Sequence, residues 1–204
     1  MLAASLRTTR LSLAEKLSQA RLTLAAEATQ RFHELHPDWV AKPGERGGRF
    51  CLDDACFHLD FLVGAIHAAD PSAFRSYVRW TTGMLQARGI PAASVQEHVE
   101  HLFAAAGPFL SASECALLAD YAPTADGSQG EIEAGGPHST PLGLTRDLFV
   151  QAILNGSRKA AVGLMMESLR TGSTVTELYV EVLQEALYEV GRRWEANRIT
   201  VAQE

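Results

Sequence analysis

The chain has 204 residues, 47% of them hydrophobic, which is enough for one large or two small packed cores. Its formal charge of −6, without any cluster of Lys and Arg, excludes a main surface built to grip nucleic acid. Three cysteines, Cys51, Cys56 and Cys115, with no Cys-x-x-Cys spacing, exclude a disulfide framework and a zinc finger and fit a reducing cytoplasm.

Arg7, Arg10, Lys16 and Arg21 interrupt the apolar positions of the N-terminus, so no secretory signal is expected. Nowhere do eighteen apolar residues run together, so no membrane span is expected either. Residues 11–36 place Leu13, Leu17, Leu24, Ala28, Phe32 and Leu35 at helical spacings, predicting one long amphipathic helix, solvated or dimer-forming, that Pro37 ends. Gly and Pro content makes residues 41–48 a loop.

A second helix is predicted over 52–68, with Leu52, Cys56, Leu59, Val63 and Ile66 on its buried stripe. Asp70-Pro71 opens a third, since Asp is a good N-cap and Pro is tolerated in the first turn. Its stripe is Phe74, Tyr77, Val78, Thr81 and Leu85, and Gly89 stops it. Residues 91–106 make a fourth, carrying Val95, Val99, Leu102 and Phe103, and the capping-box sequence Ser111-Ala112-Ser113-Glu114 opens a short fifth through Leu118 and Tyr121.

Residues 122–140 are rich in Gly, Pro, Ser and Thr and read as a linker. Three further helices are predicted at 141–154, 158–170 and 174–196, with Gly156 and Gly172 at the breaks. The last carries the stripe Tyr179, Leu183, Leu187, Val190 and Trp194. After Asn197 and Arg198, residues 199–204 read as the opening of another helix. The expectation is an all-α chain: an N-terminal helical domain over 1–121, a linker over 122–140, and a helical-bundle domain over 141–204.

Candidate chemistry in the first domain rests on histidines and aromatics. His58 lies beside Phe57 and Phe61, His67 ends the same helix, and Arg79 and Trp80 lie on the next. Together these fit a slot for a flat chromophore, a bilin or a haem, with His donating or ligating and Arg pairing a propionate. They equally fit a satisfied core histidine and a core tryptophan. His98 and His101 share a helix face, but with Glu97 and Glu100 around them that face reads as solvated, and no metal site is assigned. In the last domain an indole such as Trp194 offers a broad rigid apolar face, and the carboxylate of Glu204 can accept two hydrogen bonds. Val201 lies three residues away from Glu204, on its side of a helix.

At this end of the chain a resemblance is specific. Asn155-Gly156-Ser157-Arg158, Ala161, Leu169 to Gly172, Leu183, Ala186-Leu187, Val190-Gly191, Trp194, Ile199 and Val201-Ala202-Gln203-Glu204 resemble the four-helix cap over the upper face of cobalamin. That cap occurs in methionine synthase, corrinoid methyl carriers and cobalamin-dependent photoreceptors. Trp194, nine residues, then Glu204 resembles the photoreceptor version, in which Glu is followed by His.

The resemblance implies a light sensor rather than an enzyme, binding adenosylcobalamin through Trp194, Val201 and Glu204 and working as a homo-oligomer. Leu52-Asp53-Asp54-Ala55-Cys56-Phe57-His58-Leu59 and Tyr77-Val78-Arg79-Trp80 resemble the photocobilins, which bind biliverdin as well, and this implies biliverdin near His58 and Trp80. A corrinoid carrier for methyl transfer and a structural dimerisation module are the alternatives. The bulk of Trp194 favours the sensor, because methyl carriers leave a smaller lid. The Asp-x-His-x-x-Gly loop that holds the lower face in this family, on a flavodoxin-like domain after the cap, does not occur in the sequence, so a longer parent protein is expected.

Overall fold

A computed structural model describes residues 2–40, 46–123 and 142–203. Every regular element among them is helical, as the periodicity predicts. The chain divides into two compact units, Met1–Gly127 and Ser128–Glu204.

The first unit opens with α1 (Leu2–Gln19) and α2 (Arg21–Leu35), where one long helix was expected. Ala20 departs from helical geometry at φ −90° and ψ 5°, although its N–H still bonds Lys16 and its carbonyl still accepts from Leu24. The two halves serve different neighbours: α1 packs on α4 (Arg46–Ala68) and α7 (Ala112–Ala119), whereas α2 packs on α4 and α6 (Ala92–Ala106). A bend at Ala20 reconciles them. Leu13, Leu17, Leu24, Ala28 and Phe32 are buried as predicted, but Leu35, at the end of the helix, is exposed.

Pro37 does end α2, and a single turn, α3 (Pro37–Val40), follows. The loop expected over 41–48 lies partly outside the described residues; from Arg46 onward the chain is already α4, so that helix starts six residues earlier than predicted. Asp70 caps α5 (Pro71–Gln86) by accepting from the Ser72 and Ala73 N–H groups, and Phe74, Val78 and Thr81 face the core. In the core, Leu59 and Ile66 from α4 meet Phe74 and Val78 from α5 and Val99 and Leu102 from α6. Cys51 and Cys56 are buried on α4, and Cys115 is exposed on α7.

The capping box of α7 forms as predicted, and its Glu114 does more than cap. Only 3% exposed, it accepts from Ser12 Oγ at 2.8 Å and from Lys16 Nζ at 2.7 Å, so it fastens α7 to α1. These donors hold its carboxyl well below the usual range, at about 2, the Lys16 bond being the main cause, followed by the Ser111 N–H.

In the second unit α8 (Gly143–Leu154) packs on α9 (Arg158–Arg170) and on the last helix. Gly156 and Gly172 hold the left-handed turns between helices at φ 67° and 108°. The last helix runs as α10 (Val175–Glu177), a π-helical stretch (Leu178–Gln184), and α11 (Glu185–Glu195). Its buried line is Leu178, Val182, Ala186 and Val190, which corrects the predicted stripe: Tyr179 is 62% and Leu187 68% exposed. The π turn holds an extra residue, so core-facing positions recur every fourth residue instead of every 3.6.

Candidate functional site

The far end of α11 is organised by how that helix stops. Asn197 sits in the left-handed region at φ 55°, its N–H bonding Trp194 and the next, of Arg198, bonding Arg193. Asn tolerates this conformation, so the chain turns sharply just past the half-buried Trp194. Glu189 receives Arg192 and Arg193 on the polar side of the same turn.

Residues 196–203 form turns and bends, not the helix expected from Ile199 onward. The helix-opening chemistry is nonetheless present: Thr200 N–H and Oγ1 donate to Gln203 Oε1 at 3.0 and 3.1 Å, and Gln203 N–H donates to Thr200 O at 3.0 Å. This closed loop leaves Val201 76% exposed, an apolar side chain turned to the outside. Glu204, the predicted carboxylate acceptor, lies outside the described residues.

The C-terminal unit exposes an unusual apolar load for its size. Leu144, Val162, Met166, Val175, Tyr179, Val180, Leu187 and Tyr188 are all more than half exposed, and Phe149, Ile153, Met165 and Leu183 line a groove beside Val162 and Met166. Surfaces of this kind in a small unit mark places that something else covers.

In the first unit His58 and Trp80 do not line a common slot. His58 is 2% exposed and points inward, its Nδ1 2.9 Å from Tyr77 Oη, whereas Trp80 lies at the surface, 36% exposed, with its ring 6.4 Å from that of Tyr77. Tyr77 in turn stacks on exposed Phe61 at 3.8 Å. His67 and Arg79 are exposed and take no part.

What His58 does line is a cavity of about 30 Å³, shared with Phe32, Trp39, Asp54, Ile90 and His98. Its volume is room for a water or two, far less than a tetrapyrrole. Its chemistry is nonetheless concentrated. Burial, helped by neighbouring His98, lowers His58 to about 3; burial, helped by His101 and His33, lowers His98 to about 4. Burial raises Asp54 to about 6, and the His98 Nε2 has no hydrogen-bond partner. All three groups are thus held toward their uncharged forms.

His98 corrects the reading of a solvated histidine face: it is 6% exposed and packs on Phe32 and His58. The signal for this was available, because His98 falls three residues after Val95 and four before Leu102, on the stripe itself. Asp54 and Trp39 were missed for a different reason: nothing in their local sequence distinguishes an inward carboxyl or an aromatic on a one-turn helix. Among the described residues no group of three His, Cys, Asp or Glu is arranged to hold a metal ion, and no helix is long and apolar enough to cross a membrane.

Residues 145–204 match the family described as the B12 binding domain. The match begins inside α8 and covers α9, the π stretch, α11 and the Asn197 turn, so the C-terminal unit carries a helical cap of the cobalamin-binding kind. No curated protein and no solved structure matches the chain.

Proposed function

We propose that this chain is the sensory and cap portion of a cobalamin-dependent light sensor, with Trp194 and Val201 facing the upper ligand of adenosylcobalamin. The supporting observation is the end of α11: a half-buried indole, a left-handed turn immediately after it, and an exposed Val201 on a closed loop. These residues fit an apolar, rigid ligand face. Glu204 supplies the acceptor for ribose hydroxyls in this reading. Bound adenosylcobalamin contributes a cobalt–carbon bond that visible light breaks.

The chain's own part is to bury apolar surface against the ligand in the dark and to lose that burial in the light. Uncovering an indole face costs on the order of a few kcal/mol, enough to shift an assembly equilibrium tenfold or more. In this reading the protein signals and does not catalyse, works in the cytoplasm, and changes its state of homo-oligomerisation. Absorption spectra after addition of adenosylcobalamin, with size-exclusion chromatography in dark and light, test it. Trp194→Ala is expected to weaken dark-state binding and to uncouple illumination from oligomer size. A variant that still switches like the parent reduces Trp194 to a core residue, and a methyl-carrying corrinoid protein becomes the better reading.

The resemblance to the photocobilins extends the proposal to biliverdin beside His58. The cavity there, about 30 Å³, is closed to a tetrapyrrole, so binding requires the surrounding helices to open. His58→Ala is expected to alter the biliverdin spectrum, and Trp80→Ala to leave it nearly unchanged. Equal effects of the two would return the site to the surface around Trp80.

A further inference from the structure

The last helix carries one residue too many for its own core line. Val190 lies twelve residues beyond Leu178, whereas three α-helical turns take about eleven. The surplus residue is absorbed in the π stretch Leu178–Gln184. A second line on the same helix has no such surplus: Tyr179, Leu183, Ala186, Val190 and Trp194 follow ordinary α spacing.

The two lines share Ala186 and Val190 and differ at the helix start. There Leu178 is 2% exposed and its neighbour Tyr179 62% exposed, so two large side chains contend for one core position. Rewinding the π turn to α while α11 stays in place rotates the first turn by up to about 100° and exchanges them. The same rotation exchanges Val182, 0% exposed, for half-buried Leu183, and the burial lost at Leu178 and Val182 keeps the alternative a minor form. The Thr174–Glu177 capping box is local and travels with the turn, and Gly172, at φ 108°, sits just before it as a swivel. The π register also carries a cost of its own, because Glu181 Oε2 is buried there without a hydrogen-bond partner.

We propose that the last helix is a two-register element: a π form with Leu178 in the core, and an α form with Tyr179 in its place. The α form is a minor population, on the order of 0.1–10% of molecules, and the exchange moves the Gly172 connection between α9 and the last helix. This device is independent of the light-sensing reading and does not require bound cobalamin. Small helix shifts and one-turn ratchets between discrete packings are established ways for proteins to switch.

Amide relaxation dispersion on the 15N-labelled full chain tests the proposal. Millisecond exchange is expected over residues 172–184 and not over α8. Tyr179→Ser removes the competitor for the core and should quench that exchange while leaving the melting temperature nearly unchanged, because the side chain is exposed in the π form. Deletion of Val180 removes the surplus residue, gives the Leu178 line pure α spacing, and should quench it too. Flat profiles in the parent, or exchange that survives Tyr179→Ser, overturn the two-register helix. Should the deletion variant not fold, the serine variant decides alone.

Discussion

Single side chains in this molecule carry work that their sequence context only half announces. Glu114 is legible as a capping-box acid, but its bonds to Ser12 and Lys16 come from a helix about a hundred positions earlier, and no local pattern encodes them. Glu114→Ala removes the cap and the cross-helix bonds together and is expected to cost about 2 kcal/mol, read from chemical denaturation of the first unit. Lys16 is partly exposed and is left in contact with water, which keeps the loss from being larger. Ala69 shows the opposite mismatch. It sits at φ 57°, with its N–H on Ile66 and the next N–H, of Asp70, on Ala65, a left-handed helix end occupied by a residue with a Cβ. Ala69→Gly should therefore stabilise by about 1 kcal/mol, and a lowered melting temperature would show that the strain is relieved elsewhere.

At the scale of elements, periodicity located nearly every helix and failed where a helix is irregular. The bend at Ala20 has no Gly or Pro to mark it; it follows from the different partners of α1 and α2. The last helix was displaced by one position because the period assumed, 3.6, is not the period its π stretch adopts. The observed line makes a checkable claim. Val182→Ala, at a fully buried site, is expected to cost about 2 kcal/mol, and Leu187→Ala, 68% exposed, less than about 0.5 kcal/mol. Thermal melts of the two variants distinguish the lines, since the predicted stripe requires the reverse order. Asn197 was legible in a useful way: a residue that tolerates positive φ stands where the helix must turn back, and the turn is there.

The whole molecule divides its acid sensitivity unevenly. His58 and His98 have folded values of about 3 and 4 against an unfolded value of 6.5, so below pH 6.5 the unfolded chain takes up protons that the folded chain refuses. Stability falls as pH drops through that window, by about 1.4 kcal/mol per pH unit for each group. Asp54 works the other way: raised to about 6, it binds its proton more readily when folded, which offsets part of the loss between about pH 6 and its ordinary value of 3.8. Glu114 adds a further loss as pH falls from 4.5 toward 2. Residues 142–203 contain no histidine, so melting curves between pH 7 and pH 5 should show the first unit weakening while the helices of the C-terminal unit hold more nearly constant, the lowered Glu177 and Glu189 losing their support only further down, in the carboxylate range. His98→Leu should flatten the slope of the first unit. The resemblance carried by residues 155–204 made the cap legible before any coordinates, whereas the His58 cavity depends on five helices meeting, and nothing in the sequence showed that their residues would share it.

The placement of the thiols gives the first unit a built-in reporter of its own breathing. Cys115 is open to reagent, whereas Cys51 and Cys56 are covered and have thiol values raised chiefly by burial. A disulfide-exchange dye should therefore titrate one sulfur in seconds and the other two only as fast as α4 is uncovered. With Cys115 changed to Ser, the slow phase becomes a direct clock for the opening of the helix that carries His58. Any compound that seats in the neighbouring cavity, which Cys51 itself lines, should slow that clock.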